Sequence, residues 1–96
     1  MTHRELVKQK HAEILRIAAK YGAHNVRVFG SVARAQSDEK SDIDFLVEME
    51  PGRSLFDLGG LQSELETALG RPVDVVTVKG LKARTRARIL LEAIPV

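Results

Sequence analysis

The sequence has no cysteine. Disulfides, thiolate zinc sites and thiol nucleophiles are thereby excluded. Tryptophan is also absent, and the aromatic residues are one tyrosine and three phenylalanines. The basic stretch Lys79–Arg88 has no aromatic among its cations. A stacking platform for nucleic-acid bases is therefore not expected, nor is direct nucleic-acid binding. No apolar run approaches the roughly 20 residues of a membrane span. Met1-Thr2-His3-Arg4-Glu5 has no apolar signal core. The expectation is a cytoplasmic protein without a membrane partner. Neither a Walker-type Gly-Lys-Ser/Thr nor a Gly-x-Gly-x-x-Gly is present, which argues against P-loop and Rossmann chemistry. Repeats and low-complexity tracts are absent as well.

What is present is a chain of 96 residues, 44% apolar and 29% charged. That length and balance fit one globular domain over residues 1–96. The net charge of +2 hides a segregation. Nine acidic and two basic residues lie from Asp38 to Glu66, and five basic and no acidic residues from Lys79 to Arg88. The first twenty residues carry five Lys/Arg against two Glu. Such runs are either solvated helix faces or an acidic site whose anionic ligand meets the basic ends.

Thr2-x-x-Glu5 is a capping box and predicts a helix from about Thr2 to Tyr21, with Val7, Ile14, Leu15, Ala18 and Tyr21 on its apolar stripe and Gly22 as its stop. Asn25–Phe29 alternates and predicts a strand. Ser31 is placed to cap a short helix to Arg34, and Ala35–Ser41 reads as loop. Asp42–Val47 predicts a second strand. Ser54-x-x-Asp57 opens a helix with Leu58, Leu61, Leu65 and Leu69 buried. Gly59-Gly60 within it signals either a kink or close packing. Gly70 and Pro72 end it, Val73–Val78 is a third strand, and Gly80 precedes a last helix with Ala83, Ala87, Leu90, Leu91 and Ile94 on one face. Strands alternating with helices predict an α/β or α+β two-layer domain.

Aspartate is depleted in strands, yet three lie there: Asp42, Asp44 and Asp74. Asp42 and Asp44 are two apart and point to one face, leaving Ile43 and Phe45 for the core. If the two strands are neighbours, Asp74 joins them. Two carboxylates about 4 Å apart repel by roughly 4 kcal/mol at an effective dielectric of 20. A divalent cation removes that cost. Taken alone, Asp-x-Asp is more simply an exposed strand end, and Gly30-Ser31 an ordinary turn; together they suit phosphate at Gly30-Ser31 and metal at the acids. His3, His11 and His24 lie outside this set: His11 is expected on a helix surface and His24 in a turn.

Gly30-Ser31-Val32-Ala33-Arg34, Ser41-Asp42-Ile43-Asp44-Phe45-Leu46-Val47 and Val73-Asp74-Val75-Val76 together resemble the nucleotidyltransferase superfamily of DNA polymerase β type. The short length and the Gly-Ser-x-Ala-Arg…Ser-Asp-Ile-Asp wording resemble its minimal members, the MNT group. The resemblance implies a polymerase β-like fold, a small mixed sheet covered by helices. It implies that Gly30 and Ser31 hold nucleotide phosphates, with Arg34 in support. It implies that Asp42, Asp44 and Asp74 bind two Mg²⁺ ions, with Asp74 helping to deprotonate the acceptor hydroxyl. ATP would be the substrate. It further implies a helical HEPN-type toxin as partner in a hetero-oligomer, with this chain as antitoxin, moving AMP onto a tyrosine of the toxin. The apolar and basic helix from about Leu81 to Ile94 is either the candidate docking surface or a helix that merely covers the sheet. Two alternatives stand beside this reading: a non-catalytic antitoxin that occludes its partner, against which the intact acids argue, and a small-molecule nucleotidyltransferase, against which the missing acceptor domain argues.

Overall fold

The computed structural model describes residues 1–36 and 40–96. In chain order the elements are α1 (His3–Gln9), α2 (His11–Lys20), β1 (Ala23–Phe29), α3 (Gly30–Ala33), β2 (Ile43–Met49), α4 (Leu55–Leu69), β3 (Val73–Thr77), a 3-10 turn (Val78–Gly80), α5 (Ala83–Glu92) and β4 (Ile94–Pro95). Part of the expected Ala35–Ser41 loop, residues 37–39, lies outside the described residues.

Both capping boxes form. The Thr2 hydroxyl accepts from the Glu5 N–H at 3.1 Å, and the Glu5 carboxylate accepts from the Thr2 N–H at 3.2 Å. Ser54 and Asp57 do the same for α4. The expected single helix from Thr2 to Tyr21 is interrupted at Lys10, where φ is −95° and ψ is 13°. One turn beyond Val7 stand Lys10 and His11, so no apolar side chain anchors that turn. The stripe also rotates: Ile17 is buried, whereas Leu15 is 40% exposed.

The sheet has the order β3-β2-β1-β4. β1 pairs antiparallel with β2 and β4, and β2 pairs parallel with β3. This is the small mixed sheet of an α+β domain. Its parallel pair is joined by α4, the crossover such a pair requires. One face carries the main core: Val26 and Val28 of β1, Ile43, Phe45 and Val47 of β2 and Val73 and Val75 of β3 pack with Ile14, Ile17, Leu61 and Leu65. Leu46, on the other face of β2, and Ile89 of α5 are buried outside that cluster.

α4 packs against α2 at Gly60. A Cβ there would stand 2.5 Å from Cε1 of Tyr21. The glycine therefore makes room for a ring, and the choice between kink and close packing falls to close packing. α4 also protects the outer edge of β3: the Val73 and Val75 N–H groups donate to Glu66 Oε2 at 3.3 Å and Gln62 Oε1 at 3.2 Å. A free edge invites pairing with another chain, and side-chain acceptors blunt it.

The C-terminal part departs most from expectation. The third strand stops at Thr77, whose hydroxyl accepts from the Gly80 N–H at 3.0 Å. Ala83, Ala87 and Leu91 are exposed, and Ile89 is the buried residue of α5. Ile94 belongs to β4, a two-residue edge strand whose Pro95 sits where no N–H is needed. His24 lies in β1 and not in a turn.

Candidate active site

The strand register brings the acids together. Asp44 and Asp74 are direct partners on the parallel strands β2 and β3, so their side chains share one face. On its other side Asp44 is paired with Phe29, the last residue of β1. Asp42 precedes β2 and is exposed, as is Asp74, while Asp44 is half-buried.

Their charges interact. Burial pushes the Asp44 carboxyl up to about 6, and the charges of Asp74 and then Asp42 push in the same direction. Arg34 opposes the shift and Glu92 adds to it, both more weakly. A carboxylate held above its ordinary range by burial and then by two other carboxylates marks a place where a cation is favoured.

The chain turns into this site at Gly30. Its φ of +68° is left-handed, a conformation that costs other residues roughly 1–2 kcal/mol. A Cβ on Gly30 would fall 2.4 Å from Asp44 Oδ2. Only a residue without a side chain lets the backbone lie this close to the carboxylate. Ser31 is the second residue of α3, not its cap. The cap position is Phe29, without a side-chain hydrogen bond. Glycine takes the first helical position because the strand must reverse direction against Asp44.

α3 is held from both ends of the chain. Arg4 Nη2 donates to the Ala33 carbonyl at 2.9 Å. Arg34, which follows α3, donates through Nη1 to Glu92 and through Nε to Gln36 Oε1 at 3.2 Å. Sequence reasoning missed both Arg4 and Glu92. For Glu92 a signal existed: it is the one acidic residue after Asp74, in an otherwise basic helix.

Carboxylates are hard oxygen donors of the kind Mg²⁺ takes, and Mg²⁺ uses one or two of them with water and phosphate completing its shell. The adjacent Asp44 and Asp74, with Asp42 nearby, fit that requirement. Among the described residues no three His, Cys, Asp or Glu form a ready-made metal cage. The arrangement therefore suits an ion shared with a phosphate ligand. The site is open to solvent at Asp42 and Asp74; a concavity of about 770 Å³ lies at the other end of the strands, by Met49, Leu55, Leu58, Thr77 and Arg86. A second, of about 300 Å³, lies by Val7, Val32 and Ile94. Neither includes Asp42, Asp44 or Asp74. No helix among the described residues is long and apolar enough to cross a membrane.

Comparison with known proteins places the chain in a family. A Methanocaldococcus jannaschii protein that carries the protein adenylyltransferase name is 45% identical over 84 residues, spanning 88% of this chain and 90% of its own. The protein adenylyltransferase MntA of Thermococcus cleftensis is 35% identical over 90 residues, 94% of this chain and 89% of that one. A solved minimal nucleotidyltransferase superposes with a TM-score of 0.89 at 45% identity, covering 100% of this chain and 97% of that one. A toxin–antitoxin structure with AMP-PNP shares the fold with a TM-score of 0.75 at 19% identity, over 88% of this chain and 69% of that one. The nucleotidyltransferase domain family matches residues 8–96, a span that holds the Gly-Ser turn, all three aspartates and the whole sheet, and this chain therefore belongs to that family.

Proposed function

We propose that this nucleotidyltransferase moves AMP from ATP onto a hydroxyl of a partner protein, as the antitoxin of a HEPN-type toxin in a toxin–antitoxin pair. The observation that carries the reading is the in-register Asp44–Asp74 pair against the Gly30 turn. The adenylyltransferase names of the relatives support the reaction class. The toxin–antitoxin neighbours, one of them with AMP-PNP, support the nucleotide and the partner.

In this reading Gly30 and Ser31 seat the β- and γ-phosphates, with Arg34 beside them. Asp42, Asp44 and Asp74 hold the Mg²⁺, which when bound neutralises phosphate charge. Asp74 takes the proton of the acceptor hydroxyl. The acceptor oxygen bonds to the α-phosphorus as the bond to pyrophosphate breaks. Positioning and charge neutralisation supply the rate. The exposure of Asp42 and Asp74 supports a partner that completes the wall of the site. Leu91, 89% exposed on the basic helix α5, supports α5 as the docking surface. Leu91→Asp is expected to weaken partner binding at least about tenfold, as interface anchors do, with the fold unchanged by circular dichroism.

The test is label transfer from α-labelled ATP and Mg²⁺ in the presence of the neighbouring gene's product. Label on that protein with wild type, and none with Asp42→Asn/Asp44→Asn, is the expected result. The alternative is an antitoxin that occludes its partner without chemistry, against which the intact Asp42, Asp44 and Asp74 argue. Tight binding without label, for both forms, would establish that one instead.

A further inference from the structure

We propose that Glu92 is a positioning residue that fixes the Arg34 guanidinium for the nucleotide's phosphates. The inference rests on the nucleotidyltransferase reading of the Gly30–Arg34 segment and names a residue that reading does not contain. Glu92 ends α5, 58 positions from Arg34. Its side chain is 12% exposed and accepts from Arg34 Nη1, while Arg88 Nη1 approaches its other oxygen at 3.4 Å. An exposed ion pair would matter little. This carboxylate is largely withdrawn from water and gathers two guanidiniums, so its loss leaves both without that anchor.

Arg34 needs such an anchor. Its side chain is long and 45% exposed. It follows the short helix α3, whose first residue lies against Asp44. A guanidinium beside a carboxylate pair is drawn onto it by charge-assisted hydrogen bonds. There it would occupy the oxygens that a cation requires. Glu92 supplies a competing carboxylate at a fixed place. A guanidinium has five N–H donors, so an anchor on Nη1 is compatible with a phosphate on another nitrogen.

The test is calorimetric titration of α,β-methylene-ATP with Mg²⁺ into wild type, Arg34→Ala, Glu92→Ala, Glu92→Gln and Arg34→Ala/Glu92→Ala, each with a melting curve. Arg34→Ala and Glu92→Ala are each expected to weaken binding about tenfold, the order of one charged hydrogen bond. The double variant is expected to bind no worse than Arg34→Ala, because Glu92 acts only through Arg34. Glu92→Gln keeps an acceptor without the charge and is expected to fall between. It carries the test if Glu92→Ala does not fold. Wild-type affinity in the foldable Glu92 variants, losses that add in the double variant, or an Arg34→Ala that binds as wild type would each overturn the inference. If wild type binds no nucleotide, alone or with the neighbouring gene's product present, the parent reading fails and the inference falls with it.

Discussion

Gly30 shows how much a single residue decides here. The left-handed backbone is costly for a residue with a side chain, and a Cβ would fall 2.4 Å from Asp44 Oδ2. Gly30→Ala is expected to lower stability by roughly 2 kcal/mol and to abolish label transfer, because relief requires moving either the turn or the carboxylate. Unchanged melting and activity would mean that the turn relaxes freely. Asp44 carries the opposite kind of cost. Its carboxyl titrates near 3.8 ordinarily and at about 6 in the fold, so the folded state holds the proton more tightly. The penalty is absent below pH about 4, grows as pH rises towards about 6, and is complete above. Asp44→Asn is therefore expected to raise the metal-free melting temperature at pH 7.5 and not at pH 4. The gain should be up to about 1 kcal/mol, the full shift being discounted for a half-exposed group. An equal effect at both pH values would assign the gain to packing instead of charge.

At the scale of an element, α4 separates two neighbouring glycines. A Cβ on Gly59 meets nothing within 4 Å, whereas one on Gly60 meets the Tyr21 ring at 2.5 Å. Gly59→Ala is expected to stabilise by up to about 1 kcal/mol through helix propensity. Gly60→Ala gains the same propensity but is expected to lose a net 1–3 kcal/mol, roughly, because the ring must shift. Chemical denaturation of both variants measures the contrast, and equal effects would show that Tyr21 yields easily. Tyr21 has reason not to yield: its hydroxyl donates to Glu64 Oε1 at 2.5 Å, the same oxygen that Lys20 Nζ reaches at 2.6 Å. The motif Gly-Gly looks alike at both positions in sequence; only the neighbour across the helix interface distinguishes them.

For the molecule as a whole, β2 is the strand on which both layers depend. Phe45, Leu46 and Val47 are fully buried, and the same strand carries Asp44. Core and site are thus set by one alternation. Phe45→Ala is expected to cost about 3–5 kcal/mol, against a total stability of about 5–15 kcal/mol for a domain. Loss of a cooperative thermal transition near room temperature, or a large drop in its midpoint, is the expected readout. A shift of only a few degrees would place the main core elsewhere. Both chain ends also reach α3, through Arg4 to Ala33 and through Glu92 to Arg34. The Gly30–Ala33 turn is thereby tied to the global fold and not to its own four residues.

The local signals were enough for most elements. Thr2-x-x-Glu5 and Ser54-x-x-Asp57 satisfy backbone groups within three residues, and the β2 alternation follows from the pleat; neither needs distant partners. The Gly30-Ser31, Asp42-x-Asp44 and Asp74 spacing was likewise readable. The residues that were misread answer to contacts far away in sequence. α5 turns Ile89 inward and Leu91 outward because of where it lands on the sheet. The helix before β1 breaks at Lys10 for lack of a core partner, and β4 exists only because β1 offers it an edge. Glu92 is adjacent to Arg34 for the same reason. Local hydrogen bonding and periodicity are encoded within a few residues, so the sequence by itself determined the elements and the acids. Which faces meet, which strands pair in register and which charge reaches the site depend on how the elements pack, and only the tertiary structure decided those.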